Sequence, residues 1–272
     1  MYKFLLVGFL VIGLLLTPII VGVARLKDDT VVLYLNFDEG RGTTVKDHSK
    51  SGKTGKLGNK GGKDPIWVDG PSKHYKTALE FDGKSNFVEI EDTADFSFQT
   101  DKGITICAWV KVLKTGTDNH GQSRQPIVMK GAGGAWEYAL YVYDNFAPGF
   151  SVWNCGGSGV SEPSGGNLPG NEWHAQCGSF EPKKGSKAYL DGELVTQGAA
   201  NANVPCDGNR NIFIAHREDG QFLKAVIDDV VIWDYIVDPK KLKSLMETPF
   251  GGAAVDPESH LATTWGTIKE LY

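Results

Sequence analysis

The chain has 272 residues, with 28 Lys and Arg against 33 Asp and Glu, a net charge of −5. A weakly acidic chain with no basic block lacks the cations that sequence-independent nucleic-acid binding uses to displace counterions from phosphates. Charged residues at 22% and apolar residues at 41% exclude wholesale disorder. The 34 glycines beside 7 tryptophans point to strands and turns rather than to helices.

The first 24 residues stand apart. Residues 4–24 carry no charge, Lys3 precedes them, and Arg25, Lys27, Asp28 and Asp29 follow. Lys3 supplies a positive start and residues 4–16 an apolar core. Thr17-Pro18 supplies a helix break and Gly22-Val23-Ala24 small cleavage residues, so 1–24 is expected to be a secretory signal. The alternative is an uncleaved anchor, since the run is long enough for a hydrocarbon core of about 30 Å. A membrane partner is expected only in that case. Either way the remainder is exported, to the outside or to the cell surface.

Strand patterns follow in series. Residues 31–37 (VVLYLNF) are apolar and β-branched, and residues 41–63 are rich in Gly, Lys, Ser and Thr and read as a long loop. Residues 78–81 and 86–90 are short strands on either side of Asp82-Gly83, a hairpin signal. Residues 103–112 (GITICAWVKV) put Ile104, Ile106, Ala108 and Val110 on one face, with Thr105, Cys107 and Trp109 on the other. Residues 127–130, 137–143, 149–154, 172–180, 187–190, 212–216 and 226–234 (VIDDVVIWD) continue the series, with turn signals at Asp191-Gly192 and Asp207-Gly208. The only helix signal lies at 238–246, where Asp238-Pro239 caps an amphipathic turn. Such spacing predicts an antiparallel two-sheet sandwich. Residues 248–272 are too few to bury a core and read as an extension, in which Trp265 docks on the sandwich or belongs to an outer-membrane or assembly tag.

Four cysteines, Cys107, Cys155, Cys177 and Cys206, form no CxxC pair, which disfavours a Cys-based zinc site. An even count in an exported chain favours disulfides, with three pairings open. Pairing like with like joins the two loop cysteines, Cys155 and Cys206, and the two strand cysteines, Cys107 and Cys177. Buried free thiols are the alternative for the strand pair.

Six segments in order carry a resemblance: LYLNFDEGRGTTVKDHSKSGKTGKL, KTALEFDGKSNFVEI, ITICAWVKV, NEWHAQCGSF, KAYLDGELV and IDDVVIWD. Together they resemble the laminin-G-like, concanavalin A-like jelly-roll superfamily over about residues 31–247. The resemblance implies an all-β, two-sheet antiparallel jelly-roll sandwich with one short helix near the C-terminus, occupying residues 25–247. That superfamily includes lectins, adhesion modules and glycan-cleaving enzymes, so fold alone does not fix function.

The resemblance also implies a structural calcium where the first strand meets the last, with the first Asp of IDDVVIWD, Asp228, turned toward it. Calcium takes six to eight hard oxygens. The partners would be Asp38, Glu39 or Asp47 plus loop carbonyls; the alternative is an Asp228-Asp229 pair neutralised by nearby Lys or Arg. Glycosidases on this fold need two carboxylates about 5–10 Å apart. No ExDxxE strand occurs, and the nearest run, Glu89-Ile90-Glu91-Asp92, reads as a solvated strand end. HExxH, GxSxG and GxxxxGK[ST] are absent too, and His120 and His174 show no metal spacing. His216-Arg217 with Tyr141 could imitate a lyase cluster. Binding is the more economical expectation. Sugar rings stack on aromatic faces while their hydroxyls need fixed polar partners. Trp136, Tyr141, Trp153, His216 and Arg217 could supply both, against the competing reading that each aromatic packs the core or a sheet edge. The expected function is a secreted or surface-exposed carbohydrate-binding or adhesion module whose partner is a glycan or a cell surface. A protein-partner module without a sugar site is the rival, and an enzyme comes third.

Overall fold

The computed structural model describes residues 30–72, 76–97, 103–116 and 124–245. The expected signal at 1–24, the extension at 248–272 and His120 lie outside the described residues. The strands are β1 (Val31–Leu35), β2 (Thr44–Val45), β3 (Gly55–Asn59), β4 (Ile66–Asp69), β5 (Thr77–Asp82), β6 (Asn86–Ile90), β7 (Ile104–Lys114), β8 (Arg124–Ala132) and β9 (Ala135–Tyr143). They continue as β10 (Pro148–Trp153), β11 (Gly159–Ser161), β12 (His174–Glu181), β13 (Gly185–Leu190), β14 (Glu193–Gly198), β15 (Ile212–Ile214), β16 (His216–Arg217), β17 (Gln221–Phe222) and β18 (Lys224–Trp233). One helix, α1 (Pro239–Leu245), closes the described chain; the Asp238 carboxylate accepts the Lys240 N–H at its start.

Two antiparallel sheets face each other, as expected of a jelly-roll sandwich. The first has the order β14-β13-β12-β7-β18-β5-β4, with β1 also paired to β18; the second has the order β11-β10-β9-β8-β15-β6-β3-β2. The first and last strands are adjacent, with Leu35 opposite Val230 and Leu33 opposite Ile232. One edge of β18 is shared: its beginning pairs with β5 and its end with β1. The ladder with β7 shifts register between Asp228 and Val231, and Asp229 takes a positive φ of 45° there. This bulge lets one strand change neighbours.

The alternation of β7 works as the sequence implies. Ile104, Ile106, Ala108, Val110 and Val112 enter the core between the sheets, with Val230, Ile232, Tyr138, Leu140, Phe150 and Val152. Burying each Ile or Val contributes about 1.5–3 kcal/mol. The opposite face of β7 is covered as well: Cys107 packs with Cys177, Tyr189, Val231, Trp233 and Leu242 of α1, and Trp109 rests against this second cluster. Cys107 and Cys177 face each other across β7 and β12 and form a disulfide, and Cys155 pairs with Cys206. The pairing of like with like holds, and no free thiol remains among the described residues.

Three expectations are corrected. The 41–63 segment is not one loop, because it contributes β2 and β3 to the second sheet. Its glycines hid the strand: a Cβ on Gly58 would fall 2.5 Å from the Phe87 ring of the neighbouring strand, so close approach excludes a side chain. Residues Asp82-Gly83 do not close a hairpin. β5 and β6 belong to different sheets, and this turn is the crossover between them. Asp82 builds it by accepting the N–H groups of Lys84, Ser85 and Asn86. A true hairpin forms at Asp191-Gly192, both with positive φ, whereas Asp207-Gly208 has no positive φ.

Candidate functional site

The residues expected to bind a ligand sit on or above the outer face of the second sheet, and most are closed off. Tyr141 is 1% exposed and Trp153 6%, packed with Met129 and Ala139 beneath partly buried Trp136 and Tyr143. The Arg124 guanidinium lies 5.6 Å from the Tyr141 ring centre and 5.8 Å from those of Tyr143 and Trp153, and it pairs with Glu162 at 2.7 Å. The Ser151 hydroxyl donates to the Tyr141 hydroxyl oxygen, and burial pushes that phenol up. This is a lidded stack rather than an open sugar platform. Aromatics on the outward face of a sheet read the same in sequence whether water or an arginine covers them.

His216 and Arg217 are likewise buried, at 1% and 8% exposure. The His216 ring stacks on Phe222 at 4.2 Å and meets Phe87 and Phe213. Desolvation by burial pushes His216 down to about 4, so it is neutral at physiological pH. Arg217 pairs with Asp219 and lies 4.9 Å over the Trp136 ring. With His216 among phenylalanines and Tyr141 held by Ser151, the two do not form the lyase-like cluster the sequence suggested. Trp136, partly exposed, is the most open of the five. His174 meets Asp191 through Nδ1 at 2.7 Å, while its Nε2 is buried without a hydrogen-bond partner.

A cleft of about 560 Å³ opens beside this face. Its walls are the β5–β6 crossover (residues 82–84), the end of β7 (114–116), Gln125 of β8, the β16–β17 hairpin (220–222) and Lys224. Gly83 is required here: its φ is +69°, and a Cβ would stand 2.6 Å from that of Lys224. Three lysines, Lys84, Lys114 and Lys224, line the cleft against one acidic residue, Asp82. Lys114 and Lys224 are direct cross-strand partners. Like charges opposite one another in a ladder are destabilising. Among the described residues no salt bridge to any of the three lysines occurs. Burial works against its ionisation, yet the N–H groups of Ser85 and Lys84 and the Ser85 hydroxyl hold Asp82 below the usual range. Phe222, stacked on His216 and with the Lys60 ammonium 6.0 Å from its ring centre, adds an apolar side chain, while Gln125 and Gln221 are buried and the Gln125 amide donates to the Gly116 carbonyl. Sequence reading missed this site, because only the strand register sets Lys114 opposite Lys224. The Asp82-Gly83-Lys84 turn was the one visible signal.

The acids expected around an ion divide. The Asp47 carboxylate accepts the N–H groups of Tyr34, Ser49 and Lys53 and the hydroxyls of Ser49 and Ser51. It caps its own loop. Glu39 accepts the Lys46 N–H. Asp228 sits at the β18 bulge; burial, with Asp229 and Asp38 alongside, pushes its carboxyl up to about 9. Asp38 meets the exposed Lys76 ammonium at 3.1 Å. Among the described residues no three His, Cys, Asp or Glu side chains are grouped so that they could hold one metal. The acidic run on β6 is dispersed: Glu89 accepts from Asn211, Glu91 pairs with Lys56, and Asp92 reaches Lys130.

With two stacked sheets, adjacent first and last strands and a crossover at residue 82 established, the family match falls into place. A laminin G family described as the concanavalin A-like lectin/glucanases superfamily matches residues 82–243. The chain belongs to this superfamily. No curated protein matches the chain. Among solved structures it is similar to the binding domain of paraclostridial mosquitocidal protein 1, at 14% identity and a TM-score of 0.61 over 80% of this chain and 52% of that one. It is also similar to a botulinum neurotoxin type C structure described as depending on two ganglioside molecules for cell entry, at 15% identity and 0.58 over 80% and 51%. A third is domain 4 of AbnA, a GH43 extracellular arabinanase from Geobacillus stearothermophilus, in complex with arabinotriose, at 16% identity and 0.56 over 79% and 98%. The chain thus spans about half the length of the two toxin chains and nearly all of the arabinanase domain. At these identities the likeness concerns the fold. Among the described residues no helix is long and apolar enough to cross a membrane.

Proposed function

We propose that this superfamily member is a non-enzymatic glycan-binding module of an exported protein, and that its cleft takes a saccharide bearing carboxylate or sulfate groups. The observation that carries the reading is the facing pair Lys114 and Lys224, joined by Lys84, in a cleft with a single carboxylate. A like-charge pair that weakens its own sheet is best accounted for by an anionic guest. Phe222 offers an apolar surface to a sugar ring. The two disulfides suit an oxidising compartment. The relatives add support: one structure carries a bound arabinotriose and another is described through its gangliosides. Asp82, the one acid in the cleft, is consumed by the crossover turn, which supports binding rather than hydrolysis. An array of neutral and acidic glycans tests the reading. Acidic glycans alone should be retained, and their retention should fall as salt rises. Retention of neutral glycans only, or of none, would refute it.

The same reading keeps a divalent cation between Asp38 and Asp228, with backbone carbonyls supplying its other oxygens. Its support is the buried, uncompensated acid at the β18 bulge. Calcium should raise the melting temperature of the wild type and leave Asp228→Asn unmoved; equal responses would remove the ion from the account.

A further inference from the structure

Lys130 is the most deeply enclosed cation in the described molecule. Its side chain is 0% exposed, and its Nζ stands 2.6 Å from Glu137 Oε1, itself 0% exposed, and 2.7 Å from Asp92 Oδ1. The ammonium also donates to the carbonyl oxygens of Arg210 at 2.9 Å and Gly208 at 3.3 Å. Its contact with Asp92 differs from the others. The oxygen is buried with no hydrogen-bond partner although the nitrogen is only 2.7 Å away, so Nζ approaches off the direction a hydrogen bond requires. The second Glu137 oxygen is also buried without a partner. A lysine nitrogen, a carboxyl carbon one bond from the atom it touches, and a second carboxylate on the same nitrogen are the parts of an amide-forming centre.

We propose that Lys130 and Asp92 are joined by an intramolecular isopeptide bond, formed with Glu137 as the catalytic proton carrier. Glu137 takes one proton from the Lys130 ammonium, and the freed amine attacks Asp92 Cγ. Glu137 hands that first proton to an Asp92 oxygen as the tetrahedral intermediate forms, then carries a second proton from the nitrogen to the same oxygen, which departs as water. One ammonium and one carboxylate thereby become one amide and one water, charge and atoms balance, and no oxidant or other reactant is needed. Water is scarce around Lys130 and Glu137, which favours condensation over its reverse, while the Asp92 side chain, 21% exposed, gives the product water an exit. Burial raises the Glu137 carboxyl above its usual range, partly offset by Lys130, which suits a group that must carry a proton. The bond has a structural consequence. Lys130 lies on β8 and Asp92 just past β6, and β15 runs between those strands, with Ile212 opposite both Lys130 and Ile90. The cross-link would close over the start of β15, beside the Cys155–Cys206 disulfide.

Peptide mapping of the full chain, after denaturation and with disulfides reduced and alkylated, tests this on the native sequence. Free Lys130 is a trypsin site; an amide-linked one is not. The expected product joins residues 85–102 to 125–183 at the summed mass less one water. In Glu137→Gln, expected to fold because it keeps shape and hydrogen-bonding capacity, the peptides should separate and cleavage after Lys130 should return. Asp92→Ala should do the same. Quantitative cleavage after Lys130 in the folded wild type, with 85–102 recovered unlinked, would overturn the proposal and leave an ion triad only.

Discussion

Two groups of lysines, at opposite extremes of burial, divide the labour of this molecule. Lys130 is enclosed, with two carboxylates and two carbonyls converging on one nitrogen. Lys84, Lys114 and Lys224 are exposed around a cleft, with two of them face to face across a ladder and one turn-bound acid among them. A buried charge survives only when it is paired and hydrogen-bonded. An exposed one has no such constraint, and charges left unmatched at a concave surface are available to a guest. The contrast places the fold's electrostatic investment in stability at one site and its capacity for recognition at another.

The comparison breaks most visibly at the enclosed site. Lys130→Met removes the nitrogen on which Asp92 and Glu137 converge, and with it the proposed cross-link, and should lower stability by about 3–5 kcal/mol, read as a fall in the urea midpoint. An unchanged midpoint would mean that the triad is not an anchor. Replacing Cys155 and Cys206 by Ala should cost about 2–5 kcal/mol on the same assay. The loss should match that of the reduced wild type only if Cys107–Cys177, walled in by both sheet face and helix, resists the reductant. His216 gives the next effect. Its folded value of about 4 lies below its ordinary 6.5, so the unfolded chain binds the extra proton between those values. Its contribution is complete above about pH 6.5 and should fall away as pH drops toward 4. His216→Phe should flatten that part of the stability profile. A slope equal to wild type would show that the ring behind Phe222 already carries charge. The smallest change is expected at the cleft: Lys114→Gln relieves a like-charge pair and should leave stability level or raise it by about 0.2–1 kcal/mol. A clear loss would make the cleft lysines structural.

The framework was legible because two-sheet burial imposes a period of two on every long strand. β7 and β18 announce it in Ile104, Ile106, Ala108, Val110, Val230 and Ile232. Short edge strands escaped notice. β3 is GKLGN, with one core-facing Leu57 and glycines chosen for close packing, so its strand character comes from its neighbours. The Asp82-Gly83 turn was visible, but not that it leads to a different sheet. The site was hardly legible at all. Tyr141 and Trp153 look like ligand-stacking residues until Arg124 is found over them. Lys114 and Lys224 are 110 positions apart in sequence and meet only through register. Asp92 and Lys130 meet across an intervening strand, so a run read as a solvated strand end supplied a partner to the most buried cation.

The most direct test of the binding account is a titration of the purified protein with an acidic oligosaccharide retained on the array, in wild type and in the Lys114→Gln, Lys224→Gln double variant. Binding should weaken at least tenfold in the variant at low salt, a loss of about 1.4 kcal/mol, with folding unaffected. Wild-type affinity in the double variant would place the guest elsewhere and contradict the central claim.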